Sequence, residues 1–392
     1  MAALAQSPIL NNTQSQDKQL AFRVFSVTQW LDSDQLATPL YAQIYSTHKS
    51  MQTAHPQQWL LYCRPGFERD CVEETQAKPI KTTTDSGYVV LQGKPRLSYK
   101  QLTFARQLLE LHTEVTELPE RDRLTPLLAA LPESPEQFGA LYLEVPDTNE
   151  GKTLSGFTRR FQPLLEEKLR ASLRLADDPT LPRLHIFFPD NQHALIATSD
   201  PHNSSGSLNG IHRVSMAHDA PSRSYLKLAE AFEVFLDKSA QAQWLKAGMT
   251  AVDLGAAPGG WTWQLAQRGL KVTAVDNGPL KGAAATHPSI KHLRQDGFRF
   301  RPQRPVDWLV CDMVEQPQRV ATLMTEWFVG GFTQHAIFNL KLPMKKRVAA
   351  LGDALDSMRT ALNAKGIKYQ LEAKQLYHDR EEVTVFLARK RK

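Results

Sequence analysis

The sequence predicts an α/β protein with a parallel sheet in its C-terminal half and smaller α+β units before it. Three observations support this class. The run 248–254 is short and apolar, as in a buried parallel strand, and leads into a glycine-rich turn. Helix formers then extend from Trp261 to Arg268 before Gly269 ends the run. A second strand, 271–275, ends in Asp276, which lies 23 residues beyond Asp253 (276 − 253).

The turn itself, 253–262, reads DLGAAPGGWT and is too glycine-rich to serve packing alone. Glycines at 255, 259 and 260 let a ligand approach backbone N–H groups that a Cβ would shield. An acid about 20 residues past such a turn is where a Rossmann-like fold holds a ribose. The turn lacks both the dinucleotide pattern and the lysine of a phosphate loop. We therefore predict a nucleoside ligand without a pyrophosphate.

The first half contains short apolar strands and one long helical run. Strands are predicted at 59–63, 87–91, 141–145, 184–188 and 193–197, with a helix over 155–173. The polar, glycine-containing stretch 203–210 predicts the boundary before the C-terminal half. The predicted divisions are a divergent, partly disordered extension (1–57), a small α+β domain (58–98), a second α+β domain (99–205), a linker (206–219) and a Rossmann-like domain (220–392).

Composition restricts the class of protein. The 392 residues are 42% hydrophobic and 22% charged, as in ordinary soluble domains, and no apolar run is long enough to span a membrane. Three scattered cysteines argue against a disulfide framework and predict a cytoplasmic protein. Neither the cysteines nor the 12 histidines have the spacing of zinc ligands, so we expect no metal.

Basic side chains recur in clusters, although the net charge of +6 is modest. Such clusters attract polyanions more than the total charge does. They comprise Arg159, Arg160, Lys168, Arg170 and Arg174; Arg294, Arg299, Arg301 and Arg304; Lys345, Lys346 and Arg347; and 389–392. Each cluster alone is more often a solvated face, but their recurrence favours an RNA partner.

The glycine turn with its downstream acid resembles the S-adenosylmethionine-dependent methyltransferases. Its Pro-Gly-Gly-Trp form, 258–261, is similar to the branch that methylates RNA ribose 2′-hydroxyls. That branch uses a lysine, an aspartate, a second lysine and a glutamate in this chain order. The matching residues here are Lys227, Asp312, Lys341 and Glu382.

The chemistry accounts for these residue types. A ribose 2′-hydroxyl is a weak acid and needs a base close to its proton. Lys341 is the candidate base, because burial and a second ammonium nearby favour the neutral form of a lysine. Lys227 would supply that positive charge and steady the developing alkoxide, while Asp312 and Glu382 orient the two lysines. Each residue alone is weak evidence, since strand-edge charges are usually just exposed.

Two assignments have alternatives. Glu381 adjoins Glu382, and period-two alternation lets only one of them point inward; we choose Glu382 because it precedes the extended run VTV. Ser224 touches either the cofactor or the substrate end of the pocket, or it caps the helix of Lys227.

Further motifs narrow the resemblance to the bacterial large-subunit ribosomal RNA ribose methyltransferase M family, from about residue 58 onward. They are CRPGFE (63–68), EVPDTNE (144–150), APSRS (220–224), NLKLPMKK (339–346) and QLYHDREE (375–382). The resemblance implies a ferredoxin-like and a THUMP RNA-binding domain ahead of the methyltransferase domain. It also implies 2′-O-methylation of one cytidine in the catalytic-centre region of 23S rRNA, on free rRNA or on a precursor of the large (50S) subunit, by a monomer without metal.

Carried over residue by residue, the resemblance implies Lys341 as proton acceptor and S-adenosylmethionine as cofactor. The implied cofactor contacts are Ser224, Ala257, Pro258, Gly259, Gly260, Asp276, Asp296 and Asp312. Three other functions remain open: action on another RNA, a non-catalytic rRNA-binding assembly factor, and a small-molecule methyltransferase. The last would not need the second lysine or an RNA-binding front half.

Overall fold

The computed structural model of the protein describes residues 57–390. The predicted extension, 1–57, therefore lies outside the described residues except for Gln57. The described N-terminal half contains seven strands and three α-helices. These are β1 Gln58–Tyr62, α1 Glu68–Thr75, β2 Lys78–Thr82, β3 Tyr88–Gln92, β4 Gln107–Val115, α2 Leu124–Ala129, β5 Ala140–Glu144, α3 Asn149–Ala171, β6 Arg183–Phe187 and β7 Ala194–Ser199.

These seven strands form one sheet in the order β2-β3-β1-β4-β7-β6-β5. Strand β4 pairs antiparallel with β1 on one side and with β7 on the other. The two small units predicted on either side of residue 98 therefore share a sheet through β4. Helix α3 begins six residues earlier than the predicted 155 (155 − 149), because the Thr148 side chain accepts the Gly151 N–H and caps it.

The C-terminal half follows the predicted alternation of strands and helices. Its elements are α4 Tyr225–Phe235, α5 Lys238–Trp244, β8 Thr250–Leu254, α6 Gly260–Gln267, β9 Lys271–Val275, α7 Ala283–Thr286, β10 Ile290–Leu293, β11 Val306–Cys311, α8 Pro317–Val329, β12 Thr333–Lys341, α9 Arg347–Ala364, β13 Tyr369–Lys374 and β14 Glu382–Arg389. The bounds of β9 are those predicted.

The second sheet has the strand order β10-β9-β8-β11-β12-β14-β13. Its pairs are parallel from β10 to β12, while β14 runs antiparallel to β12 and β13. The chain moves outward from β8 to β10 and then returns to β11 on the other side of β8. A ligand crevice forms at such a switch point, outside the carboxyl ends of the strands. The predicted Rossmann-like α/β class is confirmed.

The first unit of the N-terminal half packs onto the C-terminal half. One hydrophobic core contains Leu61 and Phe104 together with Leu340 and Leu355. Polar contacts add to it: the Gln375 N–H donates to the Thr103 carbonyl oxygen at 2.9 Å, and Lys374 Nζ lies 2.6 Å from the Tyr99 carbonyl oxygen. Because buried polar groups with partners fix geometry, this joint is a defined interface rather than a loose tether.

The stretch predicted to separate the halves is itself bonded to the N-terminal sheet. Gln107 exchanges two hydrogen bonds with the backbone of Ser205, at 3.0 and 2.9 Å. The Asn209 N–H donates to Glu144 at 2.6 Å. These bonds hold the backbone of 203–210 in place, and the domain boundary predicted there stays a prediction.

Asp253 ends up almost fully buried in β8, where its carboxyl accepts a 2.6 Å hydrogen bond from Thr262. Burial raises the pKa of Asp253 from 3.8 to about 7. The folded chain therefore keeps a proton that the unfolded chain releases between about pH 4 and pH 7. The contribution of this group to stability is complete below that range and is lost as the pH rises through it.

Asp253→Asn should therefore raise the free energy of unfolding at pH 8 by more than about 1 kcal/mol and leave it nearly unchanged at pH 4. The neutral amide keeps an oxygen for Thr262 and removes the cost of a buried charge. Chemical denaturation at the two pH values measures this difference, with exposed Asp353→Asn as the control. Equal effects of Asp253→Asn at both pH values would contradict the assignment.

Candidate active site

The glycine turn after β8 has the backbone conformation that its sequence predicts. Gly255 and Gly259 have φ angles of +76° and +112°, which L side chains rarely adopt. A Cβ on Gly259 would lie 2.6 Å from the Cβ of Ala284 in the neighbouring helix α7. The turn therefore needs glycine here, both for its backbone angles and for its close approach to α7.

Asp276, at the end of β9, faces this turn. Its carboxylate accepts the N–H of Ala257 at 3.0 Å and that of Gly278 at 2.7 Å. Each carboxylate oxygen has a further lone pair, so the group can still accept hydroxyl hydrogens. Asp296 lies after β10, where it accepts the Phe298 N–H at 2.8 Å and remains half exposed.

Ser224 lies directly before α4 but does not cap it with its side chain. Its hydroxyl is instead 2.7 Å from that of Ser222, and its carbonyl oxygen accepts the Trp261 Nε1–H at 2.9 Å. A Cβ on Gly260 would collide with both hydroxyls. Ser224 therefore borders the glycine turn, as contact with a ligand there would require, and its side chain does not cap the helix of Lys227.

The register of β12 and β14 brings two predicted site residues together. Lys341 lies directly opposite Glu382, and two residues away Asn339 lies opposite Thr384. Since side chains alternate between the faces of a sheet, all four point to the same side. Leu340 points to the other side, where it is fully buried in the core.

Asp312 and Lys227 complete a cluster of four charged side chains. Lys341 Nζ lies 3.0 Å from Asp312 Oδ1 and 3.5 Å from Glu382 Oε1. Lys227 Nζ is 3.4 Å from Asp312 Oδ2 and donates a close hydrogen bond to Glu382. Each lysine therefore contacts both carboxylates.

The charges within the cluster shift two pKa values. Burial tends to lower the pKa of Lys227, but the carboxylates of Asp312 and Glu382 outweigh it and raise the pKa. Burial likewise tends to raise the pKa of Glu382. The hydrogen bond and charge of Lys227, and to a smaller extent the charge of Lys341, outweigh burial and lower this pKa. Lys227 thus remains an ammonium, and Glu382 a carboxylate, at neutral pH.

Glu381 points elsewhere. Its carboxylate is 2.8 Å from Nη2 of Arg347, whose Nη1 lies 2.9 Å from Asp70 on α1. Of the two adjacent glutamates, the structure therefore brings Glu382 to the lysines and Glu381 to the N-terminal unit.

Sequence reasoning missed three polar residues beside the cluster. Asn339 donates to Asp312 at 2.8 Å, Thr384 lies 2.8 Å from Asn339, and buried Asp379 lies beyond Thr384. A signal for the first two was available, because each is two positions from a predicted site residue on the same strand. No such spacing marks Asp379, which lies in the turn between β13 and β14.

A cavity of about 720 Å³ opens in front of the lysines. Its wall includes Lys227, Lys341 and Glu382 from the C-terminal half. Arg64, Pro65, Asp147 and Lys152 of the N-terminal half line it as well. Its volume is within the range of small-ligand pockets, so one nucleotide turned out of a helix could enter.

Some of the basic residues predicted to attract a polyanion are exposed, and others are paired inside the protein. Arg159, Arg160 and Lys168 are exposed along α3. Arg347 is not available as predicted, because it is mostly buried between Asp70 and Glu381. Arg174 also faces inward, where Nη2 donates to the Pro132 carbonyl at 2.7 Å. The residues after 390 lie outside the described part.

Residues 57–390 contain no group of His, Cys, Asp and Glu side chains that could hold a metal ion. No helix among them is both long and apolar enough to cross a bilayer. The three cysteines are buried and unpaired.

Three family models match this chain. The RlmM ferredoxin-like domain matches residues 57–109, and the N-terminal region of ribosomal RNA large subunit methyltransferase M matches residues 122–200. The FtsJ-like methyltransferase model matches residues 220–365, which include the glycine turn and three of the four clustered charges. The expected ferredoxin-like domain is thereby confirmed, whereas the expected THUMP domain stays a prediction.

Full-length relatives give the same result. Ribosomal RNA large subunit methyltransferase M of Laribacter hongkongensis is 54% identical over 344 residues, covering 84% of this chain and 96% of its own. Those of Thauera aminoaromatica and Methylococcus capsulatus are 46% and 45% identical, covering 84% and 85% of this chain and 95% and 98% of their own. The chain therefore belongs to the ribosomal RNA large subunit methyltransferase M family.

Proposed function

We propose that the protein transfers a methyl group from S-adenosylmethionine to a ribose 2′-hydroxyl of 23S ribosomal RNA. The main observation is the cluster of Lys227, Asp312, Lys341 and Glu382 at the carboxyl ends of β11 and β12. These ends lie beside the glycine turn, at the switch point of the sheet. The relatives named above are, by their names, ribosomal RNA methyltransferases.

The residues around the turn fit this cofactor. The backbone of 257–260 can lie this close to Ala284 and Ser224 only because Gly259 and Gly260 lack side chains. We assign the cofactor ribose to Asp276, whose oxygens retain free lone pairs, and its adenine to Asp296. Ser224 would contact the cofactor from the start of α4. When bound, the cofactor supplies an electrophilic methyl group on its sulfonium sulfur.

Lys341 is the base in this proposal. Its Nζ lies at the boundary between the cavity and the strand ends, about one-quarter exposed. A 2′-hydroxyl in the cavity could reach it, and the amine would take the proton as the oxygen attacks the methyl carbon. Lys227, held cationic by its two carboxylates, stabilises the developing negative charge on oxygen.

Asp312 and Glu382 hold the two lysines in place. Each carboxylate contacts the Nζ atoms of both lysines, so neither side chain can turn away without losing a contact. This arrangement offsets the positive charge of Lys227 beside the base. It also keeps the base close to the point of attack, and correct placement is a large part of such catalysis.

The N-terminal half would bind the surrounding RNA. Arg64 and Lys152 reach the cavity from that half, and Arg223 and Arg380 reach it from the other. These cations can contact phosphates on both sides of the reacting nucleotide. The family resemblance points to a cytidine in the peptidyl-transferase region, in free rRNA or in a precursor of the large subunit. All of these groups come from one chain, and we further propose a monomer acting in the cytoplasm.

Replacing Lys341 by Met tests the assignment of the base. The variant keeps the length and apolar stem of the side chain but has no amine, so methyl transfer in a single turnover should fall by roughly 10²- to 10⁴-fold. The affinity for S-adenosylmethionine, measured by calorimetry, should stay within a few-fold of the parent value. Lys365→Met, at an exposed position near the end of α9, is the control.

Wild-type rates in Lys341→Met would remove this residue from the role of base. Loss of cofactor affinity equal to the loss of rate would instead assign it to binding.

The substrate is tested by mapping ribose methylation across all RNA from cells with and without the protein. We expect one cytidine of 23S rRNA to lose its mark, and purified protein to restore it in vitro on free rRNA or on precursor particles. A lost mark in another RNA would redirect the proposal to that substrate. Unchanged marks would favour a non-catalytic assembly factor or a small-molecule methyltransferase.

A further inference from the structure

Asp379 is a buried carboxyl that the proposed reaction does not use. It is 1% exposed, in the turn that joins β13 to β14. Its Oδ2 accepts the Leu376 N–H at 2.9 Å, and its two oxygens lie 2.9 and 3.1 Å from Thr384 Oγ1. The carboxyl therefore has a hydroxyl partner and a backbone partner, and it borders the cavity with almost none of its surface exposed.

A continuous series of contacts leads from Asp379 to the charged cluster. Thr384 Oγ1 is 2.8 Å from Asn339 Oδ1, and Asn339 Nδ2 is 2.8 Å from Asp312 Oδ1. The same oxygen of Asp312 lies 3.0 Å from Lys341 Nζ. Thr384 and Asn339 are completely buried, so water does not replace the bond between them.

The number of hydrogens fixes the direction of every bond in the series. Asp312 is an acceptor, so Asn339 must face it with the amide nitrogen and turn its oxygen toward Thr384. That oxygen needs a hydrogen, and Thr384 has only one to give. With its hydrogen donated to Asn339, Thr384 can only accept from Asp379. A carboxyl donates only when it is protonated.

We propose that Asp379 is a neutral positioning residue: its carboxyl donates to Thr384, which orients Asn339 and thereby the Asp312 carboxylate beside Lys341. The link to Lys341 as base depends on the proposed function, whereas the protonation of Asp379 does not. The proton stays on Asp379 through the methyl transfer, so this residue is not a second base.

The surroundings of Asp379 favour the neutral form. Burial raises the pKa of Asp379 well above the ordinary value and outweighs the Leu376 N–H, which lowers it; the carboxylates of Glu382 and Glu230 raise the pKa as well, while Lys227 lowers it. Lys374 on β13 lies opposite Thr384 but directs Nζ to the carbonyl oxygens of Tyr99 and Ala105, so it forms no ion pair with Asp379.

Neutrality at this position matters for the charge balance of the site. The cluster contains two lysines and two carboxylates, so its charges cancel when all four are ionised. A third carboxylate beside them would stabilise the ammonium forms and oppose the removal of a proton by the base. It would also draw the Thr384 hydrogen away from Asn339 and leave Asp312 without a fixed orientation.

Paired substitutions test the relay in the full-length protein. Thr384→Val removes the hydroxyl but keeps the shape and should lower kcat by roughly 10- to 100-fold with little change in KM for the cofactor. Thr384→Ser should restore most of the rate. Asp379→Ala should also lower kcat, and Asp379→Asn, whose amide can donate to Thr384, should recover it. Thr333→Val, in the same sheet but bonded to a backbone oxygen, is the matched control.

Infrared difference spectra at pH 8 give a readout independent of activity. The spectrum of wild-type protein minus that of Asp379→Asn should contain the C=O absorption of a protonated carboxyl. Absence of that band would overturn the proposal, as would an Asp379→Asn variant as slow as Asp379→Ala, or a Thr384→Val variant as fast as Thr333→Val.

The outcomes distinguish the relay from the proposed function. If the wild-type protein methylates no ribose, the proposed function fails while the infrared band still decides the state of Asp379. If thermal unfolding shows that Thr384→Val does not fold, Thr384→Ser, Asp379→Asn and the infrared spectra decide the question.

Discussion

The antiparallel register between β12 and β14 is the constraint on which the site depends. It sets Lys341 opposite Glu382 and Asn339 opposite Thr384, so that two cross-strand pairs share one face. A shift of β14 by one residue would turn Glu382 and Thr384 to the other face and move Val383, which is fully buried, out of the core. The hydrophobic core therefore enforces the placement of the charges. This accounts for like charges held close together, an arrangement that flexible side chains on a surface would avoid.

The N-terminal unit stabilises the same region from outside. Arg347 bridges Asp70 on α1 to Glu381, the residue before Glu382, while Arg64 Nη1 donates to the Tyr377 carbonyl oxygen at 3.2 Å. The turn between β13 and β14 is thus fixed both by its own sheet and by the unit that we propose binds RNA. Cavity and cluster belong to one continuous body, so RNA bound by the first half meets a site that is already assembled.

Much of this could be predicted from the sequence. The glycine turn and the acid at 276 follow local patterns, the resemblance to ribose methyltransferases supplied the four charged residues, and the structure brings the four together. The sequence could not predict which strand pairs with β14. Its antiparallel pairing with β12 depends on core contacts between segments that are far apart along the chain. Arg347 was misjudged for the same reason: its partner Asp70 lies 277 residues away along the chain. Asp379 was missed because burial, rather than residue type or spacing, gives it a role.

The central claim is that the four charged side chains act as one unit held by the sheet. A double-mutant cycle of Lys341→Met and Glu382→Gln, measured as kcat for methyl transfer to rRNA, tests it most directly. Residues that act as a unit are strongly non-additive, so the double variant should be about as slow as the slower single variant. If the two losses instead multiplied, the lysine and the glutamate would act independently and the account would be wrong.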